Sequence, residues 1–163
     1  MQTQIIDKDD IIDAYKDLVY RLAFTYVKNK YDADDVFQDV FLIYFKKDRI
    51  FESQEHQTAW IIRVTINRCK RHFINARKTI SLDSLDHDFP AKEKEDYNYI
   101  YQTILNLKPK QRLVFSLFYI EELSIKEINQ STGISESNIK TLLHRARKEM
   151  KERINKEYEW KIY

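Results

Sequence analysis

Glycine occurs once in the 163 residues, proline twice and cysteine once. A lone glycine excludes a glycine-rich phosphate loop, which needs several positions where backbone N–H groups can close on an anion with no Cβ in the way. The single cysteine, Cys69, excludes an internal disulfide and makes a reducing, cytoplasmic setting the simpler expectation. Its place on an apolar helical stripe favours a core role. No apolar run approaches the ~20 residues a bilayer-spanning helix needs. The opening MQTQIIDKDD has no basic segment followed by an apolar stretch. His56, His72, His87 and His144 fall on different expected elements with no cysteine partner for zinc, and no serine has a neighbour suited to nucleophilic chemistry. The expectation is a non-enzyme with no cofactor, no metal and no small-molecule substrate.

A hydrophobic fraction of 43% is enough to form cores. Leucine, isoleucine, lysine and glutamate recur at helical spacing, and no strand-like alternation competes, so the fold class is all-α. Between Thr79 and Asp96 the chain turns acidic and polar, carries Pro90 and loses its apolar period, which reads as a flexible linker. This divides the chain into an N-terminal helical domain, 1–78, a linker, 79–96, and a C-terminal domain, 97–163. Periodicity predicts helices over about 9–28, 32–46 and 57–77 in the first domain, then 97–107 and one opened by Pro109 in the second.

The strongest local pattern lies from Leu123 to Met150. Ser124 followed by Glu127 is a capping box, and Gly133 suits the left-handed turn that ends a helix near Ser131 and Thr132. Ser135 can cap a second helix, along which Ile139, Leu143, Ala146 and Met150 form a core-facing stripe. Its other side carries Ser137, Lys140, Thr141, His144 and Lys148, with Arg145 and Arg147 at the flanks. A helix-turn-helix with such a face points to DNA, its first side chains on base edges and its later cations on phosphates. A solvated basic face on a helical hairpin is the plainer alternative.

Two other segments could carry function. On the helix expected over 32–46, Val36, Phe37, Val40, Phe41 and Tyr44 share one side, while Asp35, Gln38, Asp39 and Leu42 share the other. Acids around an exposed leucine suit a protein contact, since charge orients a basic partner and the leucine supplies apolar burial. An ordinary solvated face competes with that reading. A metal site is discounted because Asp32, Asp34, Asp35 and Asp39 sit on one helix with no helper visible elsewhere. The stretch Trp60–Lys78 holds Arg63, Arg68, Lys70, Arg71, Arg77 and Lys78 and no acid. Ile62, Ile66, Cys69 and Phe73 form one stripe on it, and Trp60, Val64, Asn67 and Arg71 another. Cations beside aromatic faces suit single-stranded nucleic acid, although Trp60 and Val64 are more simply read as core.

These segments, in this order and spacing, resemble the bacterial sigma-70 family, in particular its short extracytoplasmic-function (ECF) group. ADDVFQDVF, from Ala33 to Phe41, is similar to region 2.2; AWIIRVTIN, from Ala59 to Asn67, is similar to regions 2.3 and 2.4; LKPKQRLVFSLFYIEELSIKEI and GISESNIKTLLHRARKEM resemble region 4. The housekeeping members' extra N-terminal and central regions have no counterpart, which places the resemblance in the short group. The resemblance implies an initiation factor that binds core RNA polymerase, at the beta-prime clamp helices and the beta flap, and directs it to promoter DNA. Polymerase contacts are expected at Asp35, Gln38, Asp39 and Leu42, of which Asp35, Gln38 and Asp39 occupy matching family positions, and minus-ten contacts at Arg63, Asn67, Arg68 and Arg71, of which Arg63 and Asn67 do. Minus-thirty-five contacts are expected at Ser137, Lys140, Thr141, His144, Arg145 and Lys148, of which Lys140, His144 and Arg145 coincide with the family's usual run. Part of a pocket for an extruded base is implied in the loop from Asp48 to His56, and an anti-sigma factor is an implied partner. A stand-alone helix-turn-helix regulator that works without polymerase is the alternative. Departures from the family pattern fall at Ile66 and Leu142, where arginine is common, at Arg71, where an acid is common, and at Asn129, where alanine is common.

Overall fold

A computed structural model describes the backbone of residues 5–79 and 95–161, and the side chains of residues 5–72 and 99–156. The described residues form seven helices and no strand: α1 Ile11–Val27, α2 Lys30–Lys46, α3 Gln54–Thr79, α4 Glu95–Leu105, α5 Pro109–Tyr119, α6 Ile125–Thr132 and α7 Glu136–Lys161. No helix among them is long and apolar enough to cross a membrane. Apart from its helical ends, the linker expected over 79–96 lies outside the described residues, as do the side chains of Phe73, Arg77, Lys78, His87 and Trp160.

Helix boundaries follow the caps. α2 opens two residues before the periodicity predicts, because the Asn29 side chain accepts a hydrogen bond from the Asp32 backbone N–H at 2.8 Å. α3 opens three residues early for the same reason, with Ser53 Oγ accepting from His56 N–H at 3.1 Å. α4 closes earlier than expected, at Leu105, after which Asn106 and Leu107 turn with short-range backbone bonds. Arg112, itself buried, donates from Nη1 to the carbonyls of Leu105 at 3.0 Å and Leu107 at 3.1 Å. Those carbonyls have no helical partner, and a cation there also opposes the negative end of the helix dipole.

α1, α2 and α3 build one compact unit and α4, α5 and α7 another. In the first, Ile11, Tyr15, Val19 and Leu22 from α1 meet Val36, Val40 and Tyr44 from α2 and Ile62, Ile66 and Cys69 from α3, all buried. Ile66, where a family arginine is common, is thus a core residue. Cys69 is sealed in the same core, and burial pushes its thiol pKa up to about 12. In the second unit Val114, Leu117, Ile139 and Leu143 are buried. Ile104, Leu107, Ala146 and Met150 form a cluster against which Phe115, Ile120 and Ile154 pack. Each large side chain withdrawn from water in this way contributes about 1.5–3 kcal/mol.

Candidate functional site

The turn between α6 and α7 is held from both ends. Ser124 and Glu127 form the complete capping box, with Glu127 N–H donating to Ser124 Oγ at 3.2 Å and Ser124 N–H donating to Glu127 Oε2 at 2.7 Å. At the other end Gly133 adopts φ 75° and ψ 2°, and its N–H reaches the Asn129 carbonyl at 2.8 Å. Asn129, in place of the common alanine, has a visible use: its Nδ2 donates to the Ile134 carbonyl at 2.8 Å, fastening the strand of the turn back to α6. Ser135 Oγ then accepts from Asn138 N–H at 3.3 Å and starts α7.

From that start α7 presents Ser137, Lys140, Thr141, His144, Arg145 and Lys148 to solvent, while Ile139, Leu143, Ala146 and Met150 are buried. Leu142, at the common arginine position, is buried too, so the apolar stripe is broader than the sequence pattern suggested. Arg147 is occupied by the protein itself: its Nε donates to the Tyr119 hydroxyl at 2.6 Å and its guanidinium lies 5.8 Å from that ring's centroid.

In the first unit Asp35, Gln38, Asp39 and Leu42 are all exposed on α2, Leu42 to 53%. Arg63, Asn67 and Arg71 are exposed on α3, together with Lys70. Arg68 does not join that row. It turns toward α2, with Nη1 3.8 Å from Asp39 Oδ2. His72 does the same one turn on, with Nδ1 3.5 Å from Asp32 and Nε2 3.5 Å from Asp35. The expectation that the α2 acids have no helper from another element is corrected: α3 supplies one. Asp32, Asp35 and His72 thus bring one possible ligand atom each to within 4.8 Å of one another.

A cavity of about 570 Å³ lies beside these helices, lined by Ile5 to Lys8, Tyr44, Lys47 to Phe51, and Trp60. Its floor is aromatic. Tyr44 and Phe51 stack with centroids 6.1 Å apart and planes 6° from parallel, and Trp60 meets both edge-on at 5.9 and 5.7 Å. All three rings are buried, so Trp60 is a core residue and not part of an exposed stacking row on α3. Arg49 lies over the Trp60 ring at 5.4 Å, and Ile50 stands 93% exposed at the rim. The cavity's signal in the sequence is the run KKDRIF, cations ahead of an aromatic residue.

Two family descriptions match this geometry in order. Residues 11–79 match Sigma-70 region 2 and residues 97–150 match Sigma-70, region 4. The chain belongs to the sigma-70 family, in its ECF group. This sigma factor is 28% identical to the ECF RNA polymerase sigma factor SigW of Bacillus subtilis over 163 residues, spanning 89% of this chain and 87% of that protein. It is 29% identical to the RNA polymerase sigma factor SigV of the same organism, spanning 90% of each. Among solved structures, the sigma factor RpoE of Bartonella quintana, crystallised with the anti-sigma factor NepR, has the same fold. The TM-score is 0.76 over 90% of this chain and 96% of that one, at 18% identity.

Proposed function

We propose that this ECF sigma factor binds core RNA polymerase through Asp35, Gln38, Asp39 and Leu42 and carries it to promoters read at two places. Residues 1–78 would serve polymerase docking and the minus-ten element, 79–96 the connection, and 97–163 the minus-thirty-five element. Arg63, Asn67 and Arg71 face the minus-ten strands, with Arg68 steadying Asp39 between the two rows. Ser137, Lys140 and Thr141 lie at the entering end of α7 and address base edges; His144, Arg145 and Lys148 follow toward the phosphates. The aromatic-floored cavity receives one unpaired base. Extruding that base costs about a few kcal/mol, which stacking and pocket contacts of about 1–3 kcal/mol per base offset.

The observation that carries this reading is the coexistence in one chain of an exposed acid-and-leucine face on α2, a cationic row on α3 and a doubly capped turn ahead of α7. The α2 face has no use in a regulator that binds DNA by itself. Each DNA surface is small, so selectivity arises when the polymerase holds the two at a set distance. An anti-sigma factor that covers these same faces would keep the chain idle; the solved relative RpoE was crystallised with an anti-sigma factor, NepR.

The test is transcription in vitro with purified core enzyme on a promoter library, beside gel shifts with and without that enzyme. Chain-dependent transcripts, lost with Asp39→Lys, are expected. Tight duplex binding by the chain alone, with no transcript on any template, would instead establish the stand-alone regulator.

A further inference from the structure

The cavity wall formed by residues 5–8 belongs to no helix, and among the described residues two long-range polar attachments tie it to the rest of the first unit. One is Gln57, wholly buried at 0% exposure near the start of α3. A primary amide placed there must have its hydrogen bonds met inside the protein. Its Oε1 accepts from Ile6 N–H at 3.1 Å, while its Nε2 donates to the Ile6 carbonyl at 3.0 Å and to the Tyr44 hydroxyl at 3.1 Å. The pair of bonds to Ile6 grips both polar groups of one residue, as a neighbouring strand would, and so fixes position and rotation together. The other attachment is Lys8, whose Nζ lies 2.9 Å from Asp48 Oδ1 on the loop that supplies the opposite wall.

We propose that Ile5–Lys8 are a strap that closes one side of the base-receiving cavity, and that Gln57 is the positioning residue that sets its width. One amide holds wall and floor in register, since the ring it fixes through the Tyr44 hydroxyl is part of the aromatic floor. Lys47 and Arg49 stand at the rim for the phosphates on either side of a captured deoxynucleotide. The strap therefore acts on capture of an unpaired base and not on docking to polymerase. This rests on the cavity being a base site.

The experiment uses the full chain with core enzyme and a promoter recovered from its own transcript starts, supplied either as a duplex or with the minus-ten strands already opened. Gln57→Leu and Ile6→Pro should each lower transcription from the duplex about tenfold, because small displacements of a positioned group cost that much or more. On the opened template the loss should shrink to within about threefold, with polymerase affinity unchanged. Ile6→Pro removes the donor that Gln57 Oε1 accepts and restrains the strap's backbone at a site outside the helices, so it decides the matter if Gln57→Leu fails to fold. Lys8→Asp and Asp48→Lys should each impair duplex transcription, and their combination should restore it. Unchanged duplex transcription by Ile6→Pro, or equal loss on both templates, would overturn the strap while leaving the sigma function intact. If no chain-dependent transcript start can be recovered with wild-type protein, the proposed function falls, and the base site and the strap fall with it.

Discussion

Gly133→Ala isolates the backbone at the helix-turn-helix. A Cβ built at Gly133 meets nothing within 4 Å, so the substitution brings no clash and only a conformational penalty at φ +75°. Placing an L-residue in the left-handed region costs about 1–2 kcal/mol. The same substitution generally restricts the unfolded chain, which offsets roughly 0.4–1 kcal/mol. A net loss of about 1 kcal/mol follows, equal to about 4–8 °C in the melting temperature of a helical unit of this size. Asparagine tolerates the left-handed region better than alanine, so Gly133→Asn should cost less than Gly133→Ala. Scanning calorimetry of the full chain shows whether the shift belongs to the second unit, and promoter binding by the holoenzyme should change little because the turn keeps its hydrogen bonds. A loss above about 3 kcal/mol would mean that packing rather than backbone governs the site. No loss at all would mean that the turn does not need its left-handed residue.

Three further outcomes follow. Asn129→Ala removes the bond to the Ile134 carbonyl and should destabilise the second unit by about 1 kcal/mol; calorimetry alongside the Gly133 variants would measure it. Arg145→Ala and Lys148→Ala, the cations placed toward the phosphates, should each reduce the slope of log affinity against log salt by about one on promoter duplex, at fixed polymerase. Cys69, with its pKa pushed up to about 12, remains a protonated thiol at neutral pH; iodoacetamide at pH 8 should label it only after denaturation, and fast labelling of folded protein would contradict its burial.

The Lys8–Asp48 pair also has a definite pH window. Its mutual hydrogen bond and charge lower the Asp48 pKa and raise that of Lys8. The contact is therefore fully present above the ordinary carboxylate range and is lost as pH falls through the lowered Asp48 value. On the alkaline side it is present below the ordinary ammonium range and lost as pH rises through the raised Lys8 value.

What could be read from the sequence was what neighbours along the chain decide. The capping box joins Ser124 to Glu127, three residues on, and the αL stop needs only Gly133, so both were visible before any tertiary contact. The stripe Ile139, Leu143, Ala146 and Met150 likewise follows from helical period alone. Ser53 and Asn29 were less legible as caps because polar residues on both sides mask the onset of the apolar period. Facts that depend on a second helix were out of reach. A helical wheel puts Arg68 and Arg71 in one basic set, but α2 lies beside only one of them, and that proximity draws Arg68 to Asp39. The cavity is further still from local pattern, since its walls come from residues 5–8 and 47–51 and its anchor from Gln57, 51 positions from Ile6.

The 3.8 Å approach of Arg68 to Asp39 means that two surfaces share one carboxylate. Neutralising Asp39 subtracts a charge from the α2 side and at the same time leaves a guanidinium on α3 without its counterweight, able to swing toward any nearby anion. A scan of α2 variants will then record an altered salt response on nucleic acid at position 39, although no nucleotide need ever come near that residue.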